Sequence, residues 1–416
     1  MIKKIVAGFC LLFVSVAFSQ ENNASPYSYY GLGDQKFKGT AENRSMGGLS
    51  VQGDSIHVNL MNPATYNSLK YTTFTIGAGV SNTNLETTTE KDQASRASLD
   101  YLAVALPFNK IGVAIGLMPY TSVGYKIQDT ETDENNLSRT KSFDGSGGIN
   151  RVFAGASYQV LPQLSIGADV AYNFGNIETT SLVAIEGVQY ATQEVNKSHY
   201  SGASFTLGAN YNTKITDKLR WTTNATYSPG YTLSSDIDRE LSALSTVNGN
   251  INDILDVRSY SEDVKMPSSF SVGTGFGQDR KWFAGVQYIS QGSNELGNRF
   301  DEVTDAAYED SYRISLGGFY IPNYMSFTSY LSRITYRAGI KYENTGLVIN
   351  NESITDLGVT LGLGLPVGSN VGSNVNIGVE MGKRGTTNAG LVQENYVNVF
   401  LSLSFNDKWF TKRRYE

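Results

Sequence analysis

The chain has 416 residues, with 42 glycines, 26 tyrosines and 19 phenylalanines against 9 prolines, and a formal net charge of −6 with a pI of about 5.2. No basic stripe accompanies that acidity, which argues against nucleic acid as a partner. Glycine and aromatics at modest hydrophobicity suit short alternating strands with aromatic belts better than a soluble enzyme.

Residues 1–19 read as a signal peptide. Lys3 and Lys4 precede an apolar run from Ile5 to Phe18, and Ala17-Phe18-Ser19 sets cleavage before Gln20. The single cysteine, Cys10, lies inside that run, so the mature chain is expected to carry no disulfide. Nothing after it is apolar enough for a membrane helix. Residues 20–71 are mixed and polar. They contain Met46-Gly-Gly48 and end near Asn62-Pro63-Ala64, where the proline fixes its own φ and pushes Asn62 out of the helical region.

From Thr72 the pattern turns to period two. Leu164, Ile166, Ala168, Val170, Tyr172 and Phe174 share one face, and Ser165, Gly167, Asp169, Ala171, Asn173 and Gly175 the other. The same split recurs at Thr355–Leu365 and at Tyr396–Phe405. About fourteen such segments are expected, at 72–81, 98–106, 110–126, 148–159, 164–175, 200–213, 218–229, 268–277, 281–290, 310–320, 332–342, 354–365, 374–383 and 395–405. Their connections alternate long and short, as in a barrel with long outer loops and tight periplasmic turns. A secreted β-solenoid or sandwich would carry polar outward faces instead. The fold class is therefore all-β: a transmembrane antiparallel up-and-down β-barrel over 72–405, with 20–71 as a plug in its lumen and 406–416 as a periplasmic tail. Localisation is the outer membrane of a Gram-negative bacterium, with its lipid as the surrounding partner.

Within the third strand, Gly112, Gly116 and Gly124 flank Pro119 in Leu117-Met-Pro-Tyr120. Proline cannot donate to the ladder and glycine often marks a bulge, so a break is expected from Gly116 to Tyr120. The lumen face also carries charges. Arg337 and Lys341 share one side of their strand. Asp356 is expected level with Lys341, and Glu380 near Arg337 with Thr360 between. Such a cluster either braces the barrel through paired charges or greets a ligand carboxylate. In the loop 230–267, Ile237, Leu241 and Leu244 recur at near-helical spacing, which predicts one or two short amphipathic helices over the mouth.

A polar N-terminal segment, Met46-Gly-Gly48, Asn62-Pro63-Ala64 and then about fourteen strands resemble the FadL/TodX family of outer-membrane transporters for hydrophobic compounds. The closing Phe405-Asn-Asp-Lys-Trp-Phe410 and basic tail resemble the family's Bacteroidota members. The resemblance implies a hatch around Asn62, Pro63 and Ala64, and a lateral opening at Gly116, Pro119 and Tyr120. It implies passive uptake of a hydrophobic or amphipathic, fatty-acid-like small molecule. The outer loops depart from the family in being rich in Asp, Glu, Asn and Ser. The alternative is a non-transporting barrel of the same type, a binding scaffold for a protein partner in secretion or outer-membrane assembly, with the tail Lys412-Arg-Arg414 as one contact. No enzyme, metal or cofactor is expected. The only histidines, His57 and His199, lack the partners of a catalytic site. The acidic loop with Asp129, Glu131, Asp133 and Glu134 lacks calcium-loop spacing.

Overall fold

A computed structural model describes residues 23–132, 136–292, 306–367 and 372–409. The signal segment with Cys10 and its cleavage site, Asp133, Glu134 and Lys412–Arg414 lie outside the described residues. Fourteen strands close into an antiparallel barrel. In chain order they begin with β2 (Thr72–Glu86), β3 (Lys91–Phe108), β4 (Ile111–Thr132), β5 (Ser138–Leu161), β6 (Leu164–Ile185), β7 (Tyr190–Lys214) and β8 (Arg220–Ser228). They continue with β11 (Ser269–Gln278), β12 (Trp282–Gln291), β14 (Ser311–Tyr320), β15 (Thr335–Ile349), β16 (Glu352–Pro366), β17 (Asn374–Arg384) and β18 (Gln393–Asp407). Closure comes from β18 against β2, from Gln393↔Glu86 to Asp407↔Thr72. Each of the fourteen expected segments coincides with one of these strands, and several strands run well past the expected end. Four further strands among the described residues stand outside the ring: β1 (Asp34–Gln35), β13 (Ala306–Tyr308) and the pair β9 (Tyr231–Ser245) and β10 (Ile251–Met266).

Alternation decides which face meets what. Val170 is 64 % exposed and Leu361 59 %, on faces that a barrel turns to lipid. The opposite faces carry Gly, Ser, Thr and Asn, small enough to leave room inside. Among the described residues no helix is long and apolar enough to cross a membrane.

The segment 230–267 is strand, not helix. Pro229-Gly230 and Pro267 break the ladder, and beyond them the chain continues as the hairpin β9–β10. The inward face of β9 reads Leu233, Ser235, Ile237, Arg239 and Leu241. Ser235 and Arg239 interrupt the apolar alternation, which leaves Ile237, Leu241 and Leu244 looking helical. Arg239 tolerates that face because Glu194 of β7 meets it at 2.8 Å.

Candidate functional site

Residues 40–69 lie inside the barrel and are fastened around its circumference. The side chain of Asn62 caps the short 3-10 helix Pro63–Ser68. Its Oδ1 accepts from the Ala64 N–H at 3.0 Å, and its Nδ2 donates to the Ala209 carbonyl of β7 at 3.4 Å. Pro63 stands at the first helical position, where an N–H has no intrahelical partner. Asn62 and Ala64 are wholly buried. The Tyr66 hydroxyl donates to Asp169 of β6 at 3.0 Å, and the Asn67 N–H to Ser157 of β5 at 2.7 Å. A Cβ added at Gly112 would stand 2.2 Å from the Tyr66 carbonyl carbon, and one at Gly167 2.5 Å from that of Pro63. Only glycine lets the helix backbone approach the wall this closely. Across the lumen, the N–H groups of Gly47 and Ser50 donate to Thr360 and Gln287 at 2.8 Å each, and Asn376 donates to Glu42 at 2.7 Å.

Three of the four expected lumen charges come together, with an arginine the sequence reading did not place. Glu380 binds Lys341 at 2.6 Å and Arg44 of the plug at 2.7 Å; Lys341 also reaches Asp356 at 3.1 Å. Asp100 completes the group, 3.7 Å from Arg44. The register between β15, β16 and β17 sets this arrangement. Lys341 stands opposite Gly358, Asp356 two pairs further out opposite Glu343, and Glu380 opposite Thr360 and hence level with Gly339. Arg337 is not part of the cluster. It faces Gly362, two residues below the level of Glu380 as Lys341 is two above, and turns away to donate to Asn376 at 2.9 Å. The participation of Arg44 had no signal in the sequence, because its partner is 336 residues away.

The wall has a seam. β3 pairs with β4 only from Leu102↔Leu117 down to Phe108↔Ile111, so above Leu117 the two strands part. Just beyond, the β4–β5 ladder slips between Pro119 and Thr121, which leaves Tyr120 as the extra residue. Gly116, Pro119 and Tyr120 thus stand where the seam begins. The N-terminal arm of the plug, residues 23–38, fills it. β1 pairs with β4 (Asp34↔Ser122, Gln35↔Thr121), and the Lys36 N–H donates to the Tyr120 carbonyl at 3.0 Å. Asn23 bridges both lips, accepting from Arg96 of β3 at 3.2 Å and donating to the Ser122 carbonyl of β4 at 3.0 Å. Asp34 is held by Arg384 of β17 at 2.7 Å.

Between arm and floor lies a cavity of about 460 Å³. Arg44, Arg151, Arg313, Lys341, Glu343 and Glu380 line it, among apolar and aromatic side chains that include Phe37, Leu60, Met118, Phe153, Phe205 and Phe270. Lys38, on the arm, places its amine 5.0 Å over the Tyr120 ring, and Arg151 lies 4.2 Å from the same ring. Burial, with Arg151 and Arg313 adding repulsion, pushes the Lys38 amine down to about 7. His57 sits in the plug between Asp54, 2.5 Å away, and Glu42, 3.6 Å away; His199 meets Asn176 at 2.7 Å on the surface. Asp129 and Glu131 end β4 in solvent, and Glu131 pairs with Lys141 of β5.

The fold is that of known channels. TodX, the toluene transporter of Pseudomonas putida, superimposes with a TM-score of 0.58 at 17 % identity, covering 90 % of this chain and 99 % of that one. A FadL homologue of Pseudomonas aeruginosa gives 0.59 at 12 % identity over 90 % and 98 %, and the monoaromatic hydrocarbon channel CymD 0.58 at 16 % over 89 % and 98 %. At these identities the likeness is one of fold: a FadL/TodX-type barrel. A sequence search of curated proteins finds no match. The family model named BamG matches residues 1–416, and the chain belongs to the BamG family.

Proposed function

We propose that the protein is a plugged outer-membrane barrel that serves as a binding scaffold in a membrane protein complex for secretion or outer-membrane assembly. The observation that carries this reading is the closed lumen. The plug is hydrogen-bonded to strands on every side, the arm fills the seam, and the remaining cavity is ringed by charges. The apolar side chains of that cavity are interrupted by ion pairs, and an apolar solute passing them would desolvate charge without return. Protein partners would meet the polar outer loops and the periplasmic tail. No energy coupling is required.

A second reading is passive uptake of a hydrophobic or amphipathic, fatty-acid-like molecule. The seam favours it, together with the fold shared with a toluene transporter and a hydrocarbon channel. A solute would enter the cavity, displace residues 23–38 and leave sideways between β3 and β4 near Gly116–Tyr120, with Asn62–Ala64 acting as hatch.

One pair of cysteines separates the two. Gln35 and Thr121 are Cα partners, so Gln35→Cys with Thr121→Cys staples the arm into the seam. The scaffold reading expects no uptake of a fluorescent fatty acid above that of bare liposomes, and a stoichiometric protein partner on native mass spectrometry whether or not the staple forms. Uptake that the staple abolishes and reductant restores would overturn it in favour of the channel.

A further inference from the structure

The hairpin β9–β10 differs from the rest of the barrel in one respect. β9 is paired on both sides, to β7 from Tyr190↔Ser245 to Ser201↔Ser234 and to β10 from Ile251↔Leu244 to Met266↔Tyr231. β10 pairs with β9 alone among the described residues. Its continuation below Pro267, β11, has β12 on its other side, but that pairing stops at Ser269↔Gln291. The second edge of β10 therefore runs for sixteen residues with no strand beside it among the described residues. Thirteen of the sixteen are exposed, where β11 alternates buried and exposed. Ile254, Leu255, Val257 and Tyr260 are each 48–64 % exposed. They lie on the extracellular side of the barrel, above the level where the chain leaves the wall.

A long open edge of this kind is a template for pairing, and natural proteins blunt it with proline, charged side chains, bulges or a short strand. The two bulges of β10 are confined to its tip, at Ile251–Asp253 and Ile254–Asp256, and leave 257–266 regular. β10 contains no proline, and its only lysine is Lys265 at the barrel end. Its charge is of the other sign. The stretch 231–266 carries seven carboxylates against three basic side chains, and two of those are already engaged, Arg239 by Glu194 and Arg258 by Asp256. Asp236, Asp238 and Glu240 on β9 and Asp253, Glu262 and Asp263 on β10 remain to set the field of the hairpin.

We propose that the free edge of β10 is a docking site for an extended, lysine- or arginine-bearing segment of a partner polypeptide, which adds to the sheet as a further strand. Backbone hydrogen bonds supply the affinity, the exposed Leu255, Val257 and Tyr260 supply apolar contact, and the carboxylates select a basic sequence. A second copy of the same edge would set carboxylate against carboxylate. The chain's own residues 293–305 carry four acids to one arginine and have the wrong sign as well. The inference rests on the scaffold reading and gives it a surface and a partner chemistry.

The test uses the whole mature barrel in detergent micelles and a fluorescent ten-residue peptide alternating lysine and valine. Two companions are needed: the same peptide with every backbone amide methylated, and one with glutamate in place of lysine. Anisotropy should show binding of the lysine peptide, at least tenfold weaker binding of either companion, and loss of affinity in Glu262→Lys/Asp263→Lys. Hydrogen exchange at 251–266 should slow when the lysine peptide is added. Equal binding of the methylated peptide would overturn the proposal, since charge alone would then suffice. So would the absence of binding, or edge amides already protected before any peptide is present, because the chain itself or a second copy would then cover the edge. A native complex that survives Glu262→Lys/Asp263→Lys while peptide binding is lost refutes the edge as the native contact and leaves the scaffold. Peptide binding without any cellular partner does the reverse.

Discussion

The two parts of the plug are attached by different physics. Residues 40–69 lie against the wall through bonds that leave little water between, with Asn62, Ala64 and Tyr66 wholly buried and glycines opposite the Pro63–Ser68 helix. Residues 23–38 join a two-residue strand, the Asp34–Arg384 ion pair and side-chain bonds across a seam to a few separate packed side chains, Tyr27 against Leu347 and Ile349, and Leu32 and Tyr29 against Tyr125. The first attachment depends on shape and fails all at once. The second is a string of separate contacts, some polar and some apolar such as Tyr27 and Leu32, and can be lost piecemeal. Any motion of the plug should therefore begin in the arm.

The sharpest way to break the comparison is at the floor. Gly112→Val puts a branched side chain where even a Cβ has 2.2 Å to the Tyr66 backbone. Overpacking of this sort costs about 3 kcal/mol or more when backbone must move. The expected outcome is a large fall in the temperature at which the folded band disappears on an electrophoretic gel, with residues 40–69 becoming open to protease. Glu380→Gln is next. It leaves Lys341 and Arg44 without their shared carboxylate. Breaking a fully buried pair costs about 3–5 kcal/mol. Arg44 and Lys341 keep 21 % and 17 % side-chain exposure, so water returns part of that, and about 2 kcal/mol is expected in the same assay. Arg337→Met, two pairs from the level of Glu380 and outside the cluster, should cost less than Glu380→Gln; equal costs would mean that Arg337 shares the network after all.

The barrel was legible because lipid on one side and a narrow lumen on the other impose alternation on every strand. Ile166 to Phe174 and Leu357 to Leu365 show it without interruption. Legibility failed where that constraint ends. β9 and β10 stand beyond the membrane, so polar Ser235 and Arg239 can occupy an inward face, and period two dissolves into apparent helical spacing. The site was legible in part. Lys341, Asp356 and Glu380 shared a face by parity alone. Which of them touch depends on register and on where each long side chain turns: Lys341 and Arg337 are equally far from the level of Glu380, and Arg337 turns to Asn376 instead. Arg44, Asp100 and the arm were hidden, since plug-to-wall partners such as Asp34 and Arg384 are 350 residues apart and nothing local marks them.

At the arm the expected effects are smaller and local. Asp34→Asn removes the ion pair with Arg384 and keeps the backbone pairing to Ser122 and Thr121. Partly hydrated pairs are worth about 1 kcal/mol. Hydrogen exchange over 23–38 should accelerate about fivefold, while 40–69 stays unchanged. Equal acceleration in both parts would show that the plug moves as one body and would dissolve the distinction.

The smallest effect is a dependence on pH carried by Lys38. Its amine is held at about 7 in the seated arm, by burial first and by Arg151 and Arg313 after it, against an ordinary value of 10.5. A released arm therefore binds more protons than a seated one between those two values. Seating becomes more favourable as pH rises through that window, and the gain is lost as pH falls to about 7. Protection of residues 23–38, corrected for the intrinsic exchange rate, should be greater at pH 9 than at pH 7. Lys38→Met removes the titrating group and should abolish the difference while leaving the floor as it was. If the difference survives in Lys38→Met, the arm is governed by a group other than Lys38. If residues 40–69 show it as well, the floor shares the titration and the two attachments are coupled.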